Sequence, residues 1–178
     1  MKRRISNVLA FVLAAALFLS VVLGASAKTM RTDFTVYEYI CMTDPGQVWI
    51  EGDIMHIRGI KHTNVDVSDT PEVNGLNYTV ADGDINLKTG YAAIRGTFSI
   101  QPEGIQGTWD GTWTFIGNAG IARGRAVGRG TGDLAGKTLF LELYDIPYNP
   151  DTVNVCSGIG EPEGNTDIRG YIMDPGGP

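Results

Sequence analysis

The stretch ARGRAVGRGTGDLAGKTLFLE, residues 122–142, decides how the chain folds, because its glycine-rich part, residues 128–138, fits three different structures. Residues 130–135 match the dinucleotide fingerprint G-x-G-x-x-A, and residues 136–138 end like a P-loop. The P-loop pattern fails because Thr131 occupies the position of its first glycine. The dinucleotide pattern fails because it requires a helix after the glycines, whereas leucines alternate in TLFLEL. The stretch therefore predicts a glycine-rich turn between two β-strands, with no nucleotide cofactor.

Alternation of apolar and polar residues extends in both directions from this turn. Between residues 105 and 115, one face carries Trp109, Trp113 and Phe115, and the other carries threonines and Asp110. Such period-two runs indicate strands with one buried face. The runs predict about eight strands, near residues 33–41, 47–61 with a break at Gly52, 75–87, 91–100, 105–116, 119–129, 137–146 and 167–173.

The predicted strand 75–87 has the same alternation. Leu76, Tyr78 and Val80 form its apolar row, and Asn77 and Thr79 stand between them. In a strand with one buried face, this pattern predicts that the apolar row faces the core. No segment after residue 27 shows the 3.6-residue period of a helix.

The predicted strands form an all-β domain. Short connections favour antiparallel pairing. Glycine lies within several strands, for example in the repeated Ile-Arg-Gly at residues 57–59, 94–96 and 168–170. Because glycine is kept in strands where a sheet bends sharply, we expect an antiparallel closed barrel of about eight strands, with a β-sandwich as the alternative.

A strand ending in GxGTGxLxG and followed by an apolar strand, as in residues 122–143, resembles the late hairpin of the allene oxide cyclase and dirigent-type barrels. The resemblance implies an eight-stranded antiparallel barrel with a central cavity for small hydrophobic molecules. It covers the turn and not the pocket. It therefore implies the fold, and neither cyclase activity nor phenolic-radical coupling carries over.

The first 27 residues have the order of a secretory signal peptide. Three basic residues precede a long apolar run that ends in Ala25-Ser26-Ala27, an A-x-A cleavage site. We expect a single mature domain over residues 28–178, secreted or periplasmic. Loss of three basic side chains changes the formal net charge from −6 to −9. This charge argues against nucleic-acid partners and against membrane association after cleavage; the oligomeric state is left open.

Cys41 and Cys156 are the two cysteines of the chain. An even pair in an exported protein favours a disulfide. The bridge would tie the first strand to the long connection 147–166. Connections of this length are usually functional, so we interpret this one as an ordered lid in which residues 153–155 form a short strand.

Five aromatic residues are candidates for ligand binding: Trp49, Trp109, Trp113, Phe115 and Tyr148. Trp109 and Trp113 lie on one side of a strand, about 13 Å apart at ~3.3 Å per residue. They would fill the core, line a cavity for a lipophilic molecule, or form an exposed platform that stacks on sugars. A barrel of eight strands is just wide enough for either of the first two arrangements.

Catalytic and metal-binding residues are not evident. His56 and His62 lack a matching Cys or carboxylate for a metal site. The calcium-like segment 82–86 lacks the glycine and glutamate of an EF-hand loop, and residues 161–167 are read as an acidic turn. We therefore expect no cofactor or metal, and a protein that binds a small hydrophobic or aromatic ligand rather than an enzyme. The alternatives are an isomerase or cyclase of the barrel class, and a carbohydrate-binding module.

Overall fold

The computed structural model describes residues 28–118, 121–147 and 149–176, and it confirms an antiparallel β-barrel. Nine strands form one sheet: β1 (Met30–Asp44), β2 (Gln47–Glu51), β3 (Ile54–Val67), β4 (Gly75–Asn86), β5 (Ala92–Pro102), β6 (Trp109–Asn118), β7 (Ile121–Gly130), β8 (Thr138–Asp145) and β9 (Glu161–Asp174). Two short 3-10 helices, Pro71–Val73 and Gly132–Leu134, and one α-helix, α1 (Asp151–Cys156), lie between strands.

Eight of these strands close the barrel. The sheet runs in the order β1-β9-β8-β7-β6-β5-β4-β3-β2, and pairing of β1 with β3 joins its two sides. Strand β2 pairs with the first residues of β3 and lies outside the ring of eight. The predicted break at Gly52 is confirmed: Gly52 has φ +60° and ends β2 before β3 begins. Such a φ is in the left-handed region that favours glycine.

The decisive glycine-rich stretch forms the β7–β8 hairpin. Strand β7 ends at Gly130, the 3-10 helix Gly132–Leu134 makes the turn, and β8 begins at Thr138. Gly132 has φ +55°, and a Cβ there would lie 2.2 Å from the carbonyl oxygen of Gln106. Only glycine fits this position without a shift of backbone, so Gly132 is required by the turn. The strand that follows, β8, contains the predicted leucine row.

Several predicted boundaries differ from the structure. Residues 153–155 were expected to form a strand, which is wrong, because they belong to α1. The local cause is an Asn-Pro start: Oδ1 of Asn149 accepts a hydrogen bond from the Asp151 amide at 3.0 Å, and proline is tolerated in a first helical turn. Strand β6 begins at Trp109 rather than 105, since Gly107 takes φ +147°.

One end of the barrel is filled by apolar side chains. Trp109 has no exposed surface, and its indole Nε1 donates a hydrogen bond to the Glu72 carbonyl at 2.7 Å. Trp109 belongs to a cluster of buried apolar residues that also includes Phe34, Val73, Ile100, Leu134, Leu139 and Ile172. The 3-10 helices supply Val73 and Leu134, so both short helices close this end.

The predicted faces of β4 are inverted in the structure. Asn77 and Thr79 are buried, whereas Leu76, Tyr78 and Val80 are 37%, 43% and 38% exposed. The polar row faces inward because it has polar partners inside the barrel, including Glu38, which accepts a hydrogen bond from the Asn77 amide. A buried polar group is stable where it is hydrogen-bonded. The prediction that the leucine–tyrosine–valine row forms core is therefore wrong.

Among the described residues, no helix is long and apolar enough to cross a membrane. The predicted signal peptide, residues 1–27, lies outside the described residues.

Candidate functional site

The half of the barrel away from Trp109 contains a cavity of about 340 Å³. This volume is within the range of small-molecule pockets, roughly 300–1,000 Å³. One wall is apolar, with Ile94, Phe98, Trp113, Phe115, Leu141 and Leu143. The other side mixes apolar and polar side chains. Its apolar residues are Ile40, Ile57, Ile60 and Ala81, and its polar residues, here called the polar wall, are Glu38, His62, Asn64, Asn77, Thr79, Glu163, Asn165 and Thr166.

The apolar wall follows from the registers of β5 to β8. Trp113 pairs with Ala126, and Ala126 pairs with Leu141, so these three inward residues lie side by side. Phe98 belongs both to the filled core and to the cavity lining. Its ring occupies space left by glycines: a Cβ at Gly111 or Gly128 would lie 2.6 or 2.8 Å from it. The Phe98 ring thus forms part of the floor between the filled half and the cavity, together with Ala126, Leu141 and Ile168.

The polar wall is built on strands β1, β3, β4 and β9. Asn64 of β3 lies opposite Asn77 of β4, and Glu38 of β1 lies opposite Asp66 of β3. Both asparagine amides donate to the same carboxylate oxygen, Oε2 of Glu38, at 2.8 and 2.9 Å. All four side chains are buried, between 2% and 4% exposed. Two carboxyl groups and two amides therefore share one buried cluster.

Burial changes the proton affinity of both acids in this cluster. Removal from water raises the pKa of Glu38, although the amides of Asn64 and Asn77 oppose this by hydrogen bonding. The pKa of Asp66 is raised well above its usual value, first by burial and then by the nearby charge of Glu38. Two negative charges on residues that lie opposite each other in a buried cluster are strongly disfavoured. Burial therefore favours a pair that holds a proton, and the pKa of Asp66 is the more strongly raised of the two.

Three oxygens of this cluster have no hydrogen-bond partner among the described residues. They are Oδ1 of Asn64, Oδ1 of Asp66 and Oδ1 of Asn77. A carboxylate only accepts hydrogen bonds, so the atoms of Asn64 and Asn77 that face Glu38 are their amide nitrogens. Their side-chain carbonyl oxygens are then acceptors without donors. An unsatisfied buried acceptor is costly, and in a native protein it calls for an explanation.

Nearer the mouth, His62 contacts Glu163 and Thr79. Nε2 of His62 lies 2.6 Å from Oε2 of Glu163, and Nδ1 lies 3.1 Å from Oγ1 of Thr79. In the β1–β9 pairing, Ile40 lies opposite Gly164 and Cys41 opposite Pro162, so Glu163 is the extra residue of a β-bulge. Bulges re-aim side chains, and this one turns Glu163 into the cavity.

The five aromatic candidates are distributed unevenly. Trp113 and Phe115 line the cavity. Trp109 is fully buried in the filled end and does not line it. Trp49 lies on β2, 43% exposed, with its ring stacked 4.9 Å from that of His56, and Tyr148 lies outside the described residues. Since Trp109 is buried and Trp113 faces inward, the two rings do not form an exposed sugar platform.

The polar wall was missed from the sequence. Glu38 stands among inward residues Phe34, Val36 and Ile40, so an isolated acid on an apolar strand face was the available signal. Asn64 and Asn77 gave no such signal, because their strands have apolar residues on the other face as well. The sequence around His62 indicated neither a metal site nor a catalytic set, because its partner Glu163 lies 101 positions later in the chain.

Cys41 and Cys156 form a disulfide, as predicted. Cys41 alternates with Ile40, which lines the cavity, so the bridge lies on the outer face of β1 and holds α1 there. The backbone N–H of Asn149 donates to Oδ1 of Asn165, which fixes the same connection to β9. Residues 147 and 149–160 do not line the cavity. Residues 147 and 149–160 therefore brace the barrel wall, whereas residues 163–166 of the predicted lid belong to β9 and line the cavity as part of its wall.

No group of three or more His, Cys, Asp or Glu side chains in the described residues is arranged to hold a metal ion. The acidic segments 82–86 and 161–167 are parts of strands β4 and β9. Asp84 accepts hydrogen bonds from Arg58 and pairs with His56 at 2.6 Å, so its carboxylate already has basic partners.

Comparison of the chain with protein-family models, with curated proteins and with solved structures finds no match. The resemblance to allene oxide cyclase and dirigent-type barrels thus rests on residues 122–143 alone. The case for a function depends on the cavity and on the residues that line it.

Proposed function

We propose that this protein binds a small hydrophobic or aromatic molecule inside the barrel. The observation that carries the proposal is the division of the interior: one half is packed solid around Trp109, and the other keeps about 340 Å³ beside an aromatic and aliphatic wall. Protein interiors are normally close-packed. A cavity of this size, lined by apolar side chains with a few convergent polar groups, is the usual form of a ligand site.

The polar wall supports the same proposal by supplying orientation. Glu38, His62 and Glu163 all lie on one side of the cavity, opposite Trp113 and Phe115. An apolar body would pack against the aromatic side, and a polar group of the ligand would meet the other. The disulfide and the signal-like N-terminus are typical of exported proteins, so we further propose that binding takes place outside the cytoplasm.

Titration with the neutral fluorescent amine N-phenyl-1-naphthylamine tests this function. We expect a saturable rise in emission at one molecule per chain, since the dye loses water when it enters an apolar cavity. Ala126→Phe fills the cavity from β7 and should abolish the rise. Val127→Phe is the matched control, because Val127 is adjacent in sequence but 45% exposed on the outer face.

Folding of each variant is checked by circular dichroism. If Ala126→Phe fails to fold, Leu143→Trp fills the cavity nearer its mouth, where the side chain is only partly buried. Equal emission from wild type and from a folded cavity-filled variant would contradict the proposal, as would loss of signal in Val127→Phe alone.

An isomerase or cyclase is the second candidate, favoured by the His62–Glu163 pair and by the buried acid Glu38 on the same cavity. Acid–base groups held near a bound molecule can move protons during a reaction. In this case a ligand recovered from the protein would differ from the ligand added, as judged by mass spectrometry with chromatography. His62→Gln would then retain binding and lose conversion, whereas unchanged ligand in every incubation would exclude the reaction for that compound.

A further inference from the structure

The polar wall of the cavity is rich in hydrogen-bond acceptors. Glu38 and Glu163 contribute carboxylates, and none of the described lining residues is Lys or Arg. The amide nitrogens of Asn64 and Asn77 already donate to Glu38. Their carbonyl oxygens are buried and have no partner among the described residues. The cluster around Glu38 therefore holds buried acceptors without donors.

A second, electrostatic feature points in the same direction. The carboxylate of Glu38 is buried with two neutral amides and with the acid Asp66 beside it. No Lys or Arg faces it from the described lining, and His62 is the one basic side chain there, whose charge opposes the effect of burial on the pKa of Glu38 least among the causes. A buried charge without an opposite charge is strongly disfavoured. This is why burial raises the pKa of Glu38 even though the two amides stabilise its charged form.

Both features are relieved by one kind of chemical group. An ammonium carries three donors, no acceptor and a positive charge. A carboxylate or phosphate would instead place acceptors against acceptors and a negative charge beside two glutamates. A hydroxyl supplies one donor and no charge.

We propose that the ligand is an amine: an aromatic or aliphatic body against Trp113 and Phe98, with a protonated amino group directed to Glu38, Asn64 and Asn77. This inference rests on the proposed function and specifies its ligand class. The aromatic side chains strengthen it, because indole and phenyl faces also attract cations. Fatty acids and other anionic amphiphiles are correspondingly excluded.

The test compares three compounds that share a naphthyl body: 2-(1-naphthyl)ethylamine, 2-(1-naphthyl)ethanol and 1-naphthaleneacetate. Dissociation constants are measured at neutral pH by calorimetry or by the fluorescence of the tryptophans. We expect the amine to bind about tenfold more tightly than the alcohol and the acetate to bind more weakly than both, since like charges across a site are strongly unfavourable.

Glu38→Gln should bring the amine to within about twofold of the alcohol while leaving the affinity for the alcohol nearly unchanged. Glu161→Gln is the matched control: it removes a negative charge at the start of β9, where the side chain is exposed and does not line the cavity, and should preserve the preference. If Glu38→Gln does not fold, the order of the three compounds on the wild-type protein decides the inference without it.

The outcomes separate the two proposals. Equal affinities for the three compounds, or tightest binding of the acetate, would overturn the amine inference and leave the binding function standing. Binding of none of the three, together with no response to N-phenyl-1-naphthylamine, would overturn both. An amine preference that survives in folded Glu38→Gln would overturn the assignment of the amino group to this cluster.

Discussion

Glu163 reaches His62 across the cavity mouth, with Oε2 2.6 Å from Nε2, because a β-bulge adds Glu163 to strand β9. The contact joins β9 to β3, although β1 lies between them in the sheet. Since a carboxylate only accepts, Nε2 carries the hydrogen of this contact, and Nδ1 lies 3.1 Å from the hydroxyl oxygen of Thr79. Both ring nitrogens of His62 therefore have a partner at the cavity mouth.

Replacement of Glu163 by Ala should cost little stability. The glutamate side chain is 45% exposed, so solvent screens the pair, and such pairs contribute about 1 kcal/mol or less. Urea denaturation of Glu163→Ala beside the exposed control Glu161→Ala measures the difference. A loss above about 3 kcal/mol, a size typical of breaking a buried ion pair, would show that the contact holds the barrel closed.

Asp66→Asn should stabilise the protein at neutral pH. Burial and Glu38 raise the pKa of Asp66 well above its usual value, so between about pH 4 and this raised pKa the folded protein binds a proton that the unfolded chain has released. The unfolding free energy of wild type therefore falls as pH rises through this window, by at most ~1.4 kcal/mol per pH unit from this group. Asparagine removes that penalty.

Thermal or urea unfolding of wild type and Asp66→Asn from pH 4 to pH 8 checks the sign. The advantage of the variant should be smallest near pH 4 and should grow with pH. Asp69→Asn is the control, since Asp69 is exposed and its replacement should leave the profile parallel to that of wild type. A constant difference across the range would show that Asp66 ionises normally.

Gly128→Ala should destabilise the barrel through Phe98. The new Cβ would lie 2.8 Å from Cζ of that ring, and overpacking of this kind typically costs about 1–3 kcal/mol. In a Phe98→Leu background the same glycine change should cost much less, so a double-mutant cycle should show clear coupling. Gly117→Ala is the control, because its Cβ would meet neighbours at ordinary distances of 3.6 and 3.7 Å.

Replacement of both Cys41 and Cys156 by Ser should lower the free energy of unfolding without abolishing ligand binding. The bridge spans a sequence separation of 115, for which loss of the constraint on the unfolded chain costs about 4–5 kcal/mol. Neither cysteine lines the cavity, so the folded double variant should still bind N-phenyl-1-naphthylamine. A stability loss below about 1 kcal/mol, or a folded variant without binding, would contradict this role.

Local alternation was sufficient to predict the barrel because most strands have one apolar and one polar face. Trp109, Trp113 and Phe115 lie on the inner side of β6 as the pattern required. Gly111 and Gly128, which the sequence shows only as interruptions of their strands, clear the space for the ring of Phe98. Which glycine faces which ring depends on register, and register is fixed by pairing between distant strands.

The polar wall was beyond such reasoning for a physical reason. Leu76, Tyr78 and Val80 are the apolar face of β4, yet they point outward because Asn77 finds Glu38 inside the barrel. A prediction from hydrophobic alternation places polar side chains in water. A polar side chain can instead be buried where the interior offers it a hydrogen-bond partner. The His62–Glu163 contact likewise depends on a β-bulge in β9, which the pattern of residues did not predict.

Methyl NMR spectroscopy tests the central claim most directly, by showing where a ligand sits. On addition of N-phenyl-1-naphthylamine, the account predicts that the methyl signals of Ile57, Ile94 and Leu143 shift, because these side chains line the cavity. Those of Val73, Leu134 and Leu139, in the filled end, should stay in place. Shifts confined to exposed methyls such as Val48, Ile50 and Val80 would place the ligand on the outer surface and contradict the claim.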